Sequence, residues 1–322
     1  MAPRPHPVTG PSTSAGSLAT RKRARDIESE RVLAGIGLVV LATACFATLD
    51  TASKLSTTSV PILMAVWFRY AFQAVATTAV LLPRHGMTLL RTRHPRYHIL
   101  RGALLLISSA LAFFSLRYMP LAEFTSILLI APLVITLLAA LTLKEQVSPL
   151  RWVLVAGGFA GTLVILRPGG EALSWAVLLP VGLVLTNAWF QVLTSKLTRT
   201  ENPLTMHFYT GWVGTLLASL ALPFVWTALP GWQWWALLCL MGFMGTVGHF
   251  ILILAYQRAP ASTLTPYFYA QIAFAMLGGW LMFAHVPDRL SLVGIAMIAV
   301  CGAAGAWLTV RERRVPIEPA ES

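Results

Sequence analysis

The chain has 322 residues, 57% of them hydrophobic and only 11% charged, with a mean hydropathy of +0.71 and a formal charge of +12. A soluble domain carries about 25% charged residues, so this chain has too few to clothe a water-facing surface. The positive balance does not call for a nucleic-acid partner, because it is confined to particular connections along the chain.

Residues 1–31 are polar, rich in Pro, Ser and Thr, and then basic at Arg21-Lys22-Arg23, which predicts a disordered basic cytoplasmic tail. Ten apolar runs follow, at 32–53, 60–82, 99–117, 120–143, 150–167, 174–196, 203–225, 232–256, 260–284 and 290–310. Runs of about 20 residues suffice to cross a hydrocarbon layer of roughly 30 Å as helices. The first run is too long for the core of a cleaved signal peptide. Several connections are only a few residues long, so neighbouring spans are antiparallel. Residues 311–322 form a second cytoplasmic tail.

Basic residues collect on every second connection. The connections on the side away from the termini hold Lys54, Arg117, Arg167 and Arg289, and Arg69 lies within a run. The other 19 of the 24 Lys and Arg residues fall at the termini and on the remaining connections. This positive-inside pattern predicts a multi-pass protein of the cell (inner) membrane with both ends in the cytoplasm. The chain also repeats. Ser53-Lys54-Leu55, Pro61 and Met64 match Ser195-Lys196-Leu197, Pro203 and Met206 at a separation of 142 residues, and Pro120 and Thr125 match Pro260 and Thr265 at 140. The unit holds five spans, so its second copy enters the membrane upside down. The expected fold is all-α: ten transmembrane helices in two inverted five-helix repeats, residues 32–168 and 174–310. Such repeats build secondary transporters with a solute site near mid-membrane.

Particular segments resemble the drug/metabolite transporter superfamily, in its EamA-type branch of ten-span proteins. They are Leu116-Arg117-Tyr118-Met119-Pro120-Leu121-Ala122-Glu123, Ala131-Pro132-Leu133, Leu143-Lys144-Glu145, Gly157-Gly158-Phe159-Ala160-Gly161, Arg167-Pro168, Ala259-Pro260-Ala261-Ser262 and Gly278-Gly279-Trp280. The resemblance covers about residues 33 to 310. It implies an inner-membrane carrier of a small organic solute such as riboflavin, an amino acid, S-adenosylmethionine or an opine metallophore. One departure is that His285 stands where the first half has Glu145.

Among candidate site residues, Asp50 and Arg69 come first. By helical rise they lie about 6 Å and 12 Å from the outer ends of spans one and two. A charge at such depth costs at least about 2.5–3.5 kcal/mol, so each needs a partner. The two are expected to meet, as a substrate-facing or gating pair or as a structural ion pair. Glu123 follows Pro120 in the first turn of span four, where an acid suits the helix dipole or marks an outer cation site. Asn187 and Gln191 share a face of span six, His249 lies in span eight, and Gln271 lies about 16 Å into span nine. These groups form a solute site or hydrogen-bond between helices. Tyr267, beside Pro266, is placed to stack on a planar solute, and Pro266 and Pro132 are candidate hinges. Trp232, Trp234 and Trp235 read as an interfacial belt. The cysteines Cys45, Cys239 and Cys301 read as small buried hydrophobes. Glycines spaced three or four apart at Gly157 and Gly161, at Gly242, Gly245 and Gly248, and at Gly302 and Gly305 imply close helix approach, within the chain or between protomers.

The reading is therefore a secondary active transporter working by alternating access. It needs no cofactor or metal, binds a small-molecule substrate and the lipid bilayer, takes protons as a possible coupling ion, and is a monomer or homodimer. No phosphate-binding loop, HExxH or GxSxG motif is present, so neither direct ATP drive nor an intramembrane enzyme is indicated. A channel or membrane scaffold is the alternative.

Overall fold

The computed structural model describes residues 14–118, 127–128, 130–166, 175–283 and 289–312. Among them there is no strand. The longer helices are α1 (Ser14–Ser56), α2 (Ile62–His85), α3 (Pro95–Tyr118), α4 (Ala131–Leu143), α5 (Pro149–Leu166), α6 (Leu178–Leu197), α7 (Pro203–Ser219), α8 (Trp232–Tyr256), α9 (Ala270–Phe283) and α10 (Arg289–Glu312). Proline punctuates their starts: Pro61 caps α2, and Pro95, Pro149 and Pro203 open α3, α5 and α7. A proline costs nothing there, because the first-turn N–H groups have no helical partner. Asn202 completes the start of α7 by accepting the Leu204 N–H at 2.8 Å. Lys144, in the left-handed conformation at φ 53°, closes α4.

Among the described residues five segments are long and apolar enough to cross a membrane: Ile27–Ser56, Ile62–Leu90, Pro95–Tyr118, Trp175–Leu197 and Trp232–Tyr256. Ala131–Leu143 and Leu292–Gly305 are shorter apolar helices. The outside of the molecule is itself apolar. Leu141, Leu178, Leu220, Phe224, Leu281 and Val300 are all exposed, which only a hydrocarbon environment makes stable. The first helix departs from the sequence expectation, since it begins at Ser14 and the tail over 14–31 is helical. That stretch is rich in Ala, Leu, Arg, Lys and Glu, the strongest helix formers. Cys239 is also a correction, because it is exposed on the apolar surface, whereas Cys45 is buried.

The order of packing is unchanged when the two halves are exchanged. The helix α1 packs on α8 and α9, and its counterpart α6 packs on α3 and α4. Likewise α2 packs on α8 as α7 does on α3. The remaining large contacts join counterparts directly, α2 to α7 and α5 to α10. Both of these pairs run antiparallel. Trp67 donates to Ser219 at 2.8 Å, whereas Gln73, further along α2, donates to the His207 carbonyl at 3.0 Å. A β-carbon on Gly157 would meet Cys301, and one on Gly161 would meet Met297. The halves thus interdigitate, with nearly every large contact crossing from one to the other. The glycine spacings serve this internal packing. Gly102 lies against Val213 of α7, and Gly242, 140 residues on, lies against Phe72 of α2.

Candidate functional site

The centre of the molecule is built around Arg69. Its side chain is 5% exposed. Nη1 donates to the Ser109 hydroxyl at 2.7 Å, and Nη2 donates to His249 Nε2 at 3.2 Å and to the Tyr70 hydroxyl at 3.4 Å. Tyr70 and Ser109 share a further bond of 2.9 Å. A guanidinium only donates, so Nε2 of His249 is the acceptor and the ring proton sits on Nδ1. Phe46 and Phe190 hold the imidazole, with ring centroids at 4.8 Å and 5.7 Å. Ser109 and His249 are separated by 140 residues, the same interval as Gly102 and Gly242. They are equivalent positions on α3 and α8, so one guanidinium bridges the two halves at their shared centre.

Asp50 does not pair with Arg69. Its carboxylate accepts from Gln271 Nε2 at 2.7 Å, and among the described residues no carboxylate makes an ion pair with Arg69. The depths along the two helices differ by no more than an arginine side chain spans, but they say nothing of the direction in which each residue faces round its helix. The α1–α9 contact captures Asp50 first. The structure therefore brings together Arg69 with His249, and Asp50 with Gln271, as two separate clusters. Gln191 accepts from the Tyr256 hydroxyl at 3.0 Å and is buried. Asn187, one turn away, makes no hydrogen bond among the described residues. Tyr267 is buried, its hydroxyl without a partner and close to Gly305. Pro266 lies in a 3₁₀ segment, Thr265–Tyr269, between a one-turn helix and α9. Span nine is thus broken at the proline, not smoothly kinked. Pro132 sits in the first turn of α4 after a turn at Ile130. Glu123, with Pro120 and His285, lies outside the described residues.

The sequence reading missed a second buried cation. Arg101 is 1% exposed and had been counted among the basic residues of the cytoplasmic connections. Nε donates to Thr194 at 2.8 Å, and Nη1 donates to the Met206 carbonyl at 3.0 Å and to the Thr210 hydroxyl. The guanidinium lies 4.8 Å from the centroid of Phe190, whose ring also contacts His249. Its six-residue distance from Pro95, about 9 Å of helix, was the available signal. Gln73 and His207 form a further group that the sequence did not single out, with Gln73 Nε2 donating to Nδ1 at 3.2 Å.

Two carboxylates tie the connections at one end of the molecule. Glu145 accepts from Arg199 at 3.2 Å and from the Ser262 N–H at 3.1 Å. Glu201 accepts the Arg93 N–H at 3.0 Å and lies 3.5 Å from His98. Between them they join the connections α2–α3, α4–α5, α6–α7 and α8–α9. Among the described residues no group of His, Cys, Asp and Glu could hold a metal ion.

The sequence model of the EamA-like transporter family matches the chain twice, over residues 33–167 and 174–308. The chain belongs to this family. A riboflavin transporter of Rhizobium johnstonii is 31% identical over 280 residues, covering 84% of this chain and 90% of that protein. An S-adenosylmethionine uptake transporter of Rickettsia felis is 28% identical over 269 residues, covering 83% of this chain and 90% of that protein. A crystal structure with 22% sequence identity superposes with a TM-score of 0.72, covering 89% of this chain and 99% of the other. At that identity the superposition speaks for the fold. Family, relatives and apolar exterior together make this a multi-pass membrane protein of transporter type.

Proposed function

We propose that the chain is a secondary active carrier of a small organic metabolite, with ten membrane spans in two inverted five-helix repeats, both ends cytoplasmic, working by alternating access in the inner membrane. The observation that carries the reading is the antiparallel packing of α2 on α7 and of α5 on α10. A twofold axis along the membrane normal would make equivalent helices parallel, whereas an axis in the membrane plane makes them antiparallel, as they are here. Arg69, bonded to the equivalent residues Ser109 and His249, sits where that axis passes. A solute bound there is exposed to either side when the halves rock. Asp50 and Gln271 stand on the outer side of this centre, and Arg101, Gln73 and His207 on the inner side. Asn187, Gln191 and Tyr267 serve as flanking contacts, with the breaks at Pro132 and Pro266 as the moving points.

The names of the relatives favour riboflavin or S-adenosylmethionine as the first solutes to test, followed by amino acids and opine metallophores. Proton coupling runs through Asp50, Glu123 or His249 in this reading. The experiment is flux of these solutes into proteoliposomes with and without an imposed pH gradient. Saturable flux is expected. Flux that rises linearly without saturating would make the protein a channel, and identical rates with and without the gradient would discard proton coupling.

A further inference from the structure

We infer that the transported solute carries an oxyanion group, a carboxylate or phosphate, that docks on Arg69 with Arg101 completing a positive path toward the cytoplasmic side. The inference rests on the carrier reading and names the substrate class of the same site.

Three observations carry it. First, the charge balance of the interior is positive. Arg69 and Arg101 are both buried, and every acceptor they engage is neutral: serine, threonine and tyrosine hydroxyls, an imidazole nitrogen and a main-chain carbonyl. Among the described residues no carboxylate contacts either guanidinium: Asp50 bonds the neutral amide of Gln271 and acts on Arg69 only at longer range, and Glu201 engages His98 and the Arg93 N–H. Two desolvated cations without a contacting anion are costly in a hydrocarbon-embedded core, and a mobile anion is what removes the cost. Second, the unpartnered buried atoms around this centre are donors. Arg69 Nε, His249 Nδ1 and His207 Nε2 have no partner. The ring atoms opposite each of the two histidine nitrogens accept hydrogen bonds, so the unpartnered ones carry the protons. A solute rich in acceptors satisfies all three, whereas an ammonium group satisfies none. Third, the Arg69 side chain lies in the space that the missing side chain of Gly245 leaves, so the glycine fixes where the Nε edge sits. A β-carbon at that position would stand 3.1 Å from Nε. The Nε edge of a guanidinium is one of the two sides that hold a carboxylate or phosphate through paired bonds.

Alternative occupants fit less well. A purely cationic solute would add to the positive field. A neutral heterocycle would leave both guanidinium groups without a contacting anion.

The test uses the full-length purified protein and pairs of probes that differ in one acidic group: riboflavin with its 5′-phosphate, and methionine with its carboxamide. The acidic member of at least one pair is expected to raise the midpoint of thermal unfolding by about 3 °C or more at saturating concentration, with its uncharged or amide partner giving less. Which pair responds separates phosphate from carboxylate. Arg69→Gln is expected to abolish the acid-specific increment. Should that variant fail to accumulate, Arg69→Lys keeps the charge but not the planar fork, and it should weaken binding of the acidic probe at least about fivefold. Equal shifts within both pairs, no acid-specific shift in either, or an acidic shift that survives Arg69→Gln would each overturn the inference. Saturable flux of riboflavin without acid preference would overturn it and leave the carrier reading standing. Flux that does not saturate would overturn the carrier reading itself.

Discussion

Two junctions of this molecule have the same packing and opposite chemistry. On the side proposed to be cytoplasmic, α3 crosses α6 and α7. On the other side, its counterpart α8 crosses α1 and α2. Each crossing is set by a glycine, Gly102 against Val213 and Gly242 against Phe72. Yet the first junction holds His98, Arg101, Thr194, His207 and Thr210, whereas the equivalent positions of the second hold Leu238, Met241, Ala52, Ala65 and Phe68. The backbone needs the repeat, because close helix approach in lipid depends on small residues wherever it occurs. The side chains between helices are free to differ, and here one junction is polar and cationic and the other apolar.

The comparison breaks most sharply if a charge is moved across it. Met241→Arg would bury a guanidinium among Leu49, Ala52, Met64, Ala65 and Leu238, with no hydroxyls equivalent to Thr194 and Thr210. A cost of about 3–5 kcal/mol is expected, read as loss of folded protein in the membrane. Next in size are Gly102→Ala and Gly242→Ala. Added β-carbons would stand 2.6 Å from Val213 and 2.5 Å from Phe72, so each variant should lose about 1–3 kcal/mol by thermal unfolding. Gly279→Ala, which meets nothing within 4 Å, is the neutral control. A large loss at one junction only would show that the two crossings are not equivalent.

Arg101→Met makes the first junction copy the second. The hydroxyls it abandons already donate to main-chain carbonyls, Thr194 to Phe190 at 2.7 Å and Thr210 to Met206 at 2.8 Å. No new unpaired donor is left behind, so stability should change by less than about 1 kcal/mol while solute flux falls at least about tenfold. A variant that unfolds instead would make Arg101 a structural brace. The smallest effect is expected at the mouth of the polar junction. In Glu201→Gln the amide oxygen still accepts the Arg93 N–H, and only the 3.5 Å contact with His98 loses its charge. The cost should be about 1 kcal/mol or less, measured as a small fall in unfolding temperature. The equivalent positions, Ser59 and Leu238, offer no such pair, so Ser59→Ala should be silent.

Much of this architecture was legible in the sequence. The boundaries of the run at 232–256 and the start at Pro203 are reproduced, because apolar length and proline are local properties. The separation of Pro61 from Pro203 already carried the repeat that the contact pattern displays. Single residues on a helix were harder. Arg69 and His249 were named but not joined, and Asp50 was joined to the wrong partner. Arg101 was taken for a residue of a connection, although it lies six positions inside α3.

By itself the sequence determined how many apolar segments there are, which ends collect positive charge, and that five segments recur. These follow from the length of a helix across lipid and from the cost of burying charge, and neither needs a neighbour. Only the tertiary structure decided which side chains meet. A residue's depth follows from counting along one helix, but its partner depends on the rotation and crossing of two. That is why Ser109, unremarked in its own apolar run, stands with His249 on either side of Arg69, and why Asp50 answers to Gln271.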